Sequence, residues 1–371
     1  MSQESSVPTL CLNMIVRNEA AIIERCLASV QPYIDSYSIL DTGSTDGTPE
    51  IIEQFFSKAG IPGEVGRSKF INFSASRNQA LEQLAASGIP HDYILLIDAD
   101  MELVVSDQDW KCGLTSDVYS VRQVNVIAYD NIRVVRSGLG AKYVGVTHEY
   151  LDVGGRSKPR LDGIEMIDHA SGSNRVGKFE RDATMLAEAL EAEPDNTRYV
   201  FYLAQSYRDA GQLSLAYETY ARRVSMAGWI EERFIAQLEM GRLAIRMGKP
   251  EAVVSKGLLD AFDLRPIRAE PLHELAAYYR AREQWGRAYI YARAGVEIEI
   301  PDDQLFVSQS IYDWMLLDEL AVAAYWVGRY EESAQACAAI LQKVAHGLVL
   351  DEATQARVRE NAGFARVKLM P

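Results

Sequence analysis

The sequence predicts an α/β domain built on a mostly parallel sheet, followed by an all-α helical array. Three observations carry this. Residues 9 to about 130 alternate short apolar runs with amphipathic stretches, the strand–helix order of a parallel sheet with right-handed crossovers. One run, Ile94–Ile97 in DYILLIDADMEL, is apolar on both faces, as a central parallel strand must be. From Lys178 onward strand signals stop and amphipathic helices follow one another in pairs. The expected domains are therefore residues 1–177 and 178–371.

The elements follow in order. TLCLNMIV is the first strand, and EAAIIERCLASVQPYI a helix whose Ile22, Ile23, Cys26, Leu27 and Val30 share one face. SYSILDTG is the second strand. TPEIIEQFFSKAG is the second helix, with Thr45 or Asp46 as cap, Pro49 in its first turn and Gly60 at its end. SASRNQALEQLAAS is a third helix and DYILLIDA the next strand. DVYSVRQVNVIAYDNIRVVRS reads as two longer antiparallel strands, and GVTHEYLDVGG and GIEMIDHA as a mixed-sheet extension.

In the second half, four stretches share a helix–turn–helix shape: YLAQSYRDAGQLSLAYETYARR, QLEMGRLAIRMGKPEAVVSKGLL, HELAAYYRAREQWGRAYIYARAGVE and LDELAVAAYWVGRYEESAQACAAIL. Gly211, Gly248, Gln284 and Gly328 stand in the turns. Units of about 34 residues with Tyr, Ala and a turn Gly resemble tetratricopeptide repeats. IEIPDDQLFVSQSIYD stretches the last spacing. Stacked pairs bury their aromatic residues between helices and leave a concave surface.

Composition narrows the function. The 371 residues are 48% hydrophobic and 24% charged, ordinary for a globular chain. A net charge of −14 argues against a broad nucleic-acid or anionic-membrane surface. Cys11, Cys26, Cys112 and Cys337 form no C-x-x-C pair, so neither a zinc site nor a disulfide framework is expected. The start, MSQESSVPTL, has no basic or apolar leader pattern, and no apolar run reaches the ~20 residues of a membrane span. A cytoplasmic location is the expectation.

The chemistry is expected at strand ends. In open α/β sheets ligands bind beyond the carboxyl ends of the strands. The Ile94–Ile97 run leads into Asp98 and Asp100, which point the same way if the chain stays extended. Paired carboxylates repel, and a divalent cation carrying a phosphate would relieve the repulsion. The second strand also ends on an acid, Asp41, which can accept a base N–H from uracil or guanine. Arg67, Lys69 and Arg77 form the densest positive group of this half. Arg77, at a helix start, is poorly placed for the helix dipole and well placed to meet a diphosphate.

Together LNMIVRNEAAIIERCLASV, LDTGSTDGTPEII, FSASRNQAL and YILLIDADMEL resemble the nucleotide-sugar domain of family-two glycosyltransferases, the inverting GT-A type with a Rossmann-like sheet, over roughly residues 9–105. GVTHEYL, IDHASG and KFERD resemble a subgroup in which tetratricopeptide-like helices follow. The resemblance places Asn18 and Glu19 in the nucleotide pocket, Asp41 on the base and Arg77 near the diphosphate. It places Asp98 near the ribose and metal, and Asp100 on the metal, Mn²⁺ or Mg²⁺. Such a metal neutralises the departing diphosphate. His148 and His169 are the two candidates for a third metal ligand, and Glu149 for the general base.

The expected activity is transfer of a sugar from a UDP-sugar, with GDP as the other base, to a glycan, protein or other acceptor positioned by the helical domain. The helices could also hold a protein partner or a second copy. The Gln-x-x-Arg-Trp marker of processive members is absent. Two other readings stand beside this one. In one, the helices make a scaffold and the first domain is inactive. In the other, the chain is a nucleotidyltransferase, against which IVRNEA counts because it lacks a glycine-rich phosphate loop.

Overall fold

The computed structural model describes residues 7–125, 128–172 and 177–370. The chain divides into two compact units, Met1–Ala189 and Leu190–Pro371.

The first unit opens with β1 (Leu10–Val16), α1 (Ile23–Val30), β2 (Ser36–Asp41), α2 (Thr48–Ala59), β3 (Gly63–Arg67), α3 (Phe73–Ser87) and β4 (Tyr93–Leu96). It continues through β5 (Met101–Val105), β6 (Val118–Val124), β7 (Ala128–Arg136), β8 (Lys142–Val144), β9 (Tyr150–Asp152) and β10 (Arg160–Asp168). Eight strands form one sheet in the order β3-β2-β1-β4-β7-β6-β10-β5, and β8 pairs with β9 apart from it. The first four strands are parallel. β7 then runs antiparallel to β4 and β6, and β10 lies parallel to β6 and antiparallel to β5. β1 and β2 are buried almost throughout, as the apolar runs require.

α1 is shorter than expected: Glu19–Ile22 form a turn before it, with the Ile22 and Ile23 N–H groups both on the Glu19 carbonyl. α2 ends as expected on Gly60, whose φ of 69° suits a residue without Cβ. β3 and β5 were not expected. β3 is an edge strand of sequence GEVGR with one apolar side chain. β5 begins directly after the acids, because the chain leaves β4 at Leu96 and turns, with the Met101 N–H on the Asp98 carbonyl. The two acids therefore lie in a crossover from mid-sheet to the far edge, not on an extended strand.

The second unit is helical. α4 (Lys178–Ala192) spans the division between the units. The expected hairpins follow as α5 (Thr197–Asp209) with α6 (Leu213–Ser225), α7 (Ile230–Arg246) with α8 (Glu251–Leu264), α9 (Glu270–Arg280) with α10 (Trp285–Gly295), and α11 (Leu316–Trp326) with α12 (Tyr330–Ala345). α13 (Glu352–Leu369) closes the unit. This is a tetratricopeptide-like array with a core of Phe201, Tyr220, Phe234, Leu243 and Leu275.

The stretched spacing before α11 has a cause. Arg268 and Glu270 are fully buried, with Arg268 Nη2 2.8 Å from Glu270 Oε1. Asp303, from the long loop, pairs with Arg265 and Arg268, and Tyr312 donates to Glu270 at 2.8 Å. Glu231 accepts the N–H groups of Gln304 and Leu305. Buried charges so paired and hydrogen-bonded pin the loop to the array.

Candidate active site

The carboxyl ends of β1 and β2 are laced together by short polar side chains. Asn18, in a left-handed conformation (φ 55°), accepts the Thr45 N–H at 2.8 Å, and its own N–H donates to Ser44 Oγ. Asp41 accepts the N–H groups of Gly43 and Ser44. Asp46 accepts from Ala20 N–H and from the Thr48 hydroxyl and N–H. Burial alone would raise the Asp46 carboxyl, but these hydrogen bonds hold it below the usual range. Asn18 and Asp41 thus both reach Ser44, their oxygens serve the two loops, and Asp41 is only 4% exposed. Neither lines the cavity next to them, which Glu19 and Thr42 reach.

That cavity has a volume of about 440 Å³ and gathers Arg77, Asp98, Asp100, His148 and Glu149. Its centre is a chain of alternating charges. Arg77 Nε donates to Glu149 Oε1 at 2.7 Å, and Nη2 to Asp98 Oδ1 at 2.6 Å. Asp98 Oδ2 accepts from both terminal nitrogens of Arg133 at 3.2 Å, and Arg133 Nη2 also donates to Gln123 Oε1 at 2.9 Å. The Arg77 guanidinium lies 5.4 Å from the Tyr143 ring centroid. Burial alone would push the Asp98 carboxyl up; Arg77 and Arg133 reverse this and hold it well below the usual range. Burial likewise opposes charge on Arg77, and Asp98 and Glu149 overcome it.

Arg133 and Gln123 escaped the sequence reading. The available signal was an arginine inside the apolar run IRVVR, since a charge in a buried strand must be paired.

Asp100 differs from Asp98. Its Oδ2 accepts one backbone N–H, from Gly172, at 3.1 Å. Burial, then the neighbouring Asp98, raise its carboxyl; the Gly172 bond opposes this and Asp168 adds to it. An acid so surrounded favours a positive partner, and a hard cation bound by one or two carboxylates plus phosphate oxygens suits it. Asp168, another cavity residue, was also missed.

The wider metal set is not assembled. Among the described residues no group of three His, Cys, Asp or Glu side chains gathers to hold a metal. Both oxygens of Asp98 are held by guanidinium groups. The His169 ring is engaged by Glu102, with Nε2 2.8 Å from Oε2, and it does not line the cavity. His148 does line it, with a left-handed backbone (φ 50°). Asn18, His148 and Ala170 are three of the five non-glycine residues with positive φ among those described, and all three flank this site.

Comparison with known proteins finds similarity over parts of the chain. Residues 11–107 match the family model described as glycosyl transferase family 2. A glycosyltransferase, SunS, of Bacillus phage SPbeta is 25% identical over 220 residues, covering 55% of this chain and 50% of its own length. A TPR repeat-containing protein of Synechococcus elongatus is 42% identical over 101 residues, covering 27% of this chain and 23% of its own. An uncharacterized glycosyltransferase of Rickettsia felis is 36% identical over 99 residues, covering 26% and 30%. The chain spans half or less of the length of these relatives. No helix among the described residues is long and apolar enough to cross a membrane.

Proposed function

We propose, from a first unit that carries a glycosyl transferase family 2 segment, that the chain moves a sugar from a nucleoside diphosphate to an acceptor with inversion at the anomeric carbon. The supporting observation is the charge chain Glu149–Arg77–Asp98–Arg133 beside the separately placed Asp100, at the strand ends where such a donor would lie. Asp98 anchors Arg77 and Arg133, so both guanidiniums stand fixed before any substrate arrives. Asp100, with Asp168 beside it, would hold Mn²⁺ or Mg²⁺; the ion would neutralise charge on the diphosphate. Glu149 is the proposed general base, oriented by the Arg77 Nε bond. Asn18 and Asp41 fix the loops at the nucleotide end, and Glu19 reaches the cavity there. UDP is the favoured base carrier, with GDP the alternative. The acceptor is a glycan, protein or other molecule held by the helical array, and the reaction is placed in the cytoplasm.

The test is donor turnover. The full chain is incubated with a panel of nucleotide sugars plus Mn²⁺ or Mg²⁺, and released nucleoside diphosphate is assayed beside Asp100→Ala. The expected result is metal-dependent hydrolysis of one donor, lost in the variant. No hydrolysis, together with no thermal shift for any metal–nucleotide pair, would leave the helical scaffold as the better reading.

A further inference from the structure

The cations of the cavity are unevenly committed. Arg77 is held by Asp98 and Glu149, and Arg133 by Asp98 and Gln123. Each guanidinium already faces an acid, so a diphosphate there meets little net positive charge. The wall formed by α4 adds a second set of cations, in which the acid beside the arginine, Asp182, has its carboxyl pushed up by burial. Lys178 and Arg181 stand three apart on one helical face, and both line the cavity. Lys178 is exposed and forms no ion pair among the described residues.

Arg181 is positioned from two sides. Its guanidinium lies 5.8 Å from the Phe73 ring centroid, and its Nη2 is 3.6 Å from Asp182 Oδ1. Asp182 is fully buried, and neither of its oxygens has a hydrogen-bond partner of good geometry. An ionisable group in that state costs stability. Burial accordingly pushes the Asp182 carboxyl up, against Arg181, Lys178 and the Thr147 hydroxyl. The fold tolerates this acid directly behind an arginine that borders the cavity.

We infer that Lys178 and Arg181 are a diphosphate-binding pair, and that Asp182 is the positioning residue behind Arg181. The inference rests on the glycosyl-transfer reading and extends it to the leaving group. As the anomeric C–O bond breaks, its electron pair stays on the β-phosphate oxygen. The acceptor atom bonds to the anomeric carbon and its proton passes to the base. The phosphate gains a negative charge, which a guanidinium fork and an ammonium can take up. The pair is specific for the second phosphate, so it discriminates a nucleoside diphosphate from the monophosphate.

Titration calorimetry of the full chain tests this, with UDP and UMP and with GDP and GMP, in EDTA and in Mn²⁺. The wild type is expected to bind one diphosphate more tightly than its monophosphate. Lys178→Gln and Arg181→Gln should each weaken the diphosphate roughly tenfold and leave the monophosphate within about twofold, as expected for a lost charge-assisted contact. Lys178→Arg should restore most of the loss. Asp182→Asn should weaken the diphosphate less than Arg181→Gln, with an undiminished melting temperature. An unchanged diphosphate-to-monophosphate ratio in Lys178→Gln and Arg181→Gln, with wild-type binding intact, overturns the pair and spares the donor reading. Absence of binding of every nucleotide to the wild type, with or without Mn²⁺, overturns both.

Discussion

Arg133→Met should lower the melting temperature of the first unit and leave that of the second. The Arg133 side chain is 7% exposed and is bound to Asp98, itself 24% exposed. Removing one partner of a buried ion pair costs about 3–5 kcal/mol. The lower end applies, because Arg77 keeps Asp98 Oδ1 at 2.6 Å and some water reaches the carboxylate. Gln123, only 2% exposed, also loses a 2.9 Å donor, which adds about 1 kcal/mol. A loss of about 4 kcal/mol in a unit of this length lowers its melting temperature by roughly 10 °C. Scanning calorimetry of the full chain measures it, with the helical unit's transition as internal reference. A cycle with Asp98→Asn isolates the pair, which should show at least about 1 kcal/mol of coupling. A loss below about 1 kcal/mol, or additivity of the two substitutions, would refute the claim that Arg133 is held in place by Asp98.

Three further outcomes can be checked. Asp182→Asn should match or exceed the wild-type melting temperature at pH 7. Its carboxyl is raised in the fold, so between about pH 4, where it ionises in the unfolded chain, and its raised folded value, the native state binds more protons and loses stability as pH rises. The advantage of Asn should therefore shrink as pH falls through that window; a variant less stable at pH 7 would mean the Arg181 pairing outweighs burial. Gly241→Ala places a Cβ 2.4 Å from Leu258 Cδ2, where α7 meets α8. The overpacking, about 1–3 kcal/mol, exceeds the ~1 kcal/mol helix-propensity gain, so the helical unit's transition should fall and the first unit's stay; a rise would contradict the close crossing. Gly63→Ala places a Cβ 2.2 Å from the Tyr37 carbonyl oxygen. Hydrogen exchange should quicken along the β2–β3 pairing and not in β1; unchanged protection would argue that β3 is not packed as described.

Legibility in the sequence followed burial. β1, β2 and β4 are covered on both faces, so their apolar runs stand out, and the helical hairpins carry a 3.6-residue period with glycine turns. β3 was hidden because an edge strand needs few apolar residues; Val65 alone faces the core. β5 was hidden because MELVV directly follows the acid turn, and only its antiparallel pairing with β10 makes it a strand. Arg133 could not be matched to Asp98 from the sequence. Their meeting depends on β7 lying beside β4, with Leu95 opposite Val134, a neighbour relation created by tertiary pairing. The surroundings of His169 were hidden for the converse reason: a histidine near the end of β10 reaches Glu102 on adjacent β5 and does not line the cavity.

The two acids of DAD illustrate the limit best. An extended chain would aim Asp98 and Asp100 alike and make them equivalent. The turn after Leu96 separates their surroundings. Asp98 falls between two guanidiniums, which take both its oxygens and lower its proton affinity. Asp100 falls between two other acids with a single N–H for company, and its proton affinity rises. One residue type two positions apart thus acquires opposite electrostatic needs: Asp98 is already neutralised by the fold, and Asp100 still calls for a positive charge. The structural anchor and the cation-seeking carboxylate are therefore different residues. Substituting Asp98 should disturb Arg77, Arg133 and the fold of the first unit, while substituting Asp100 should leave the fold and, on the proposed transfer reading, remove the metal dependence expected of it.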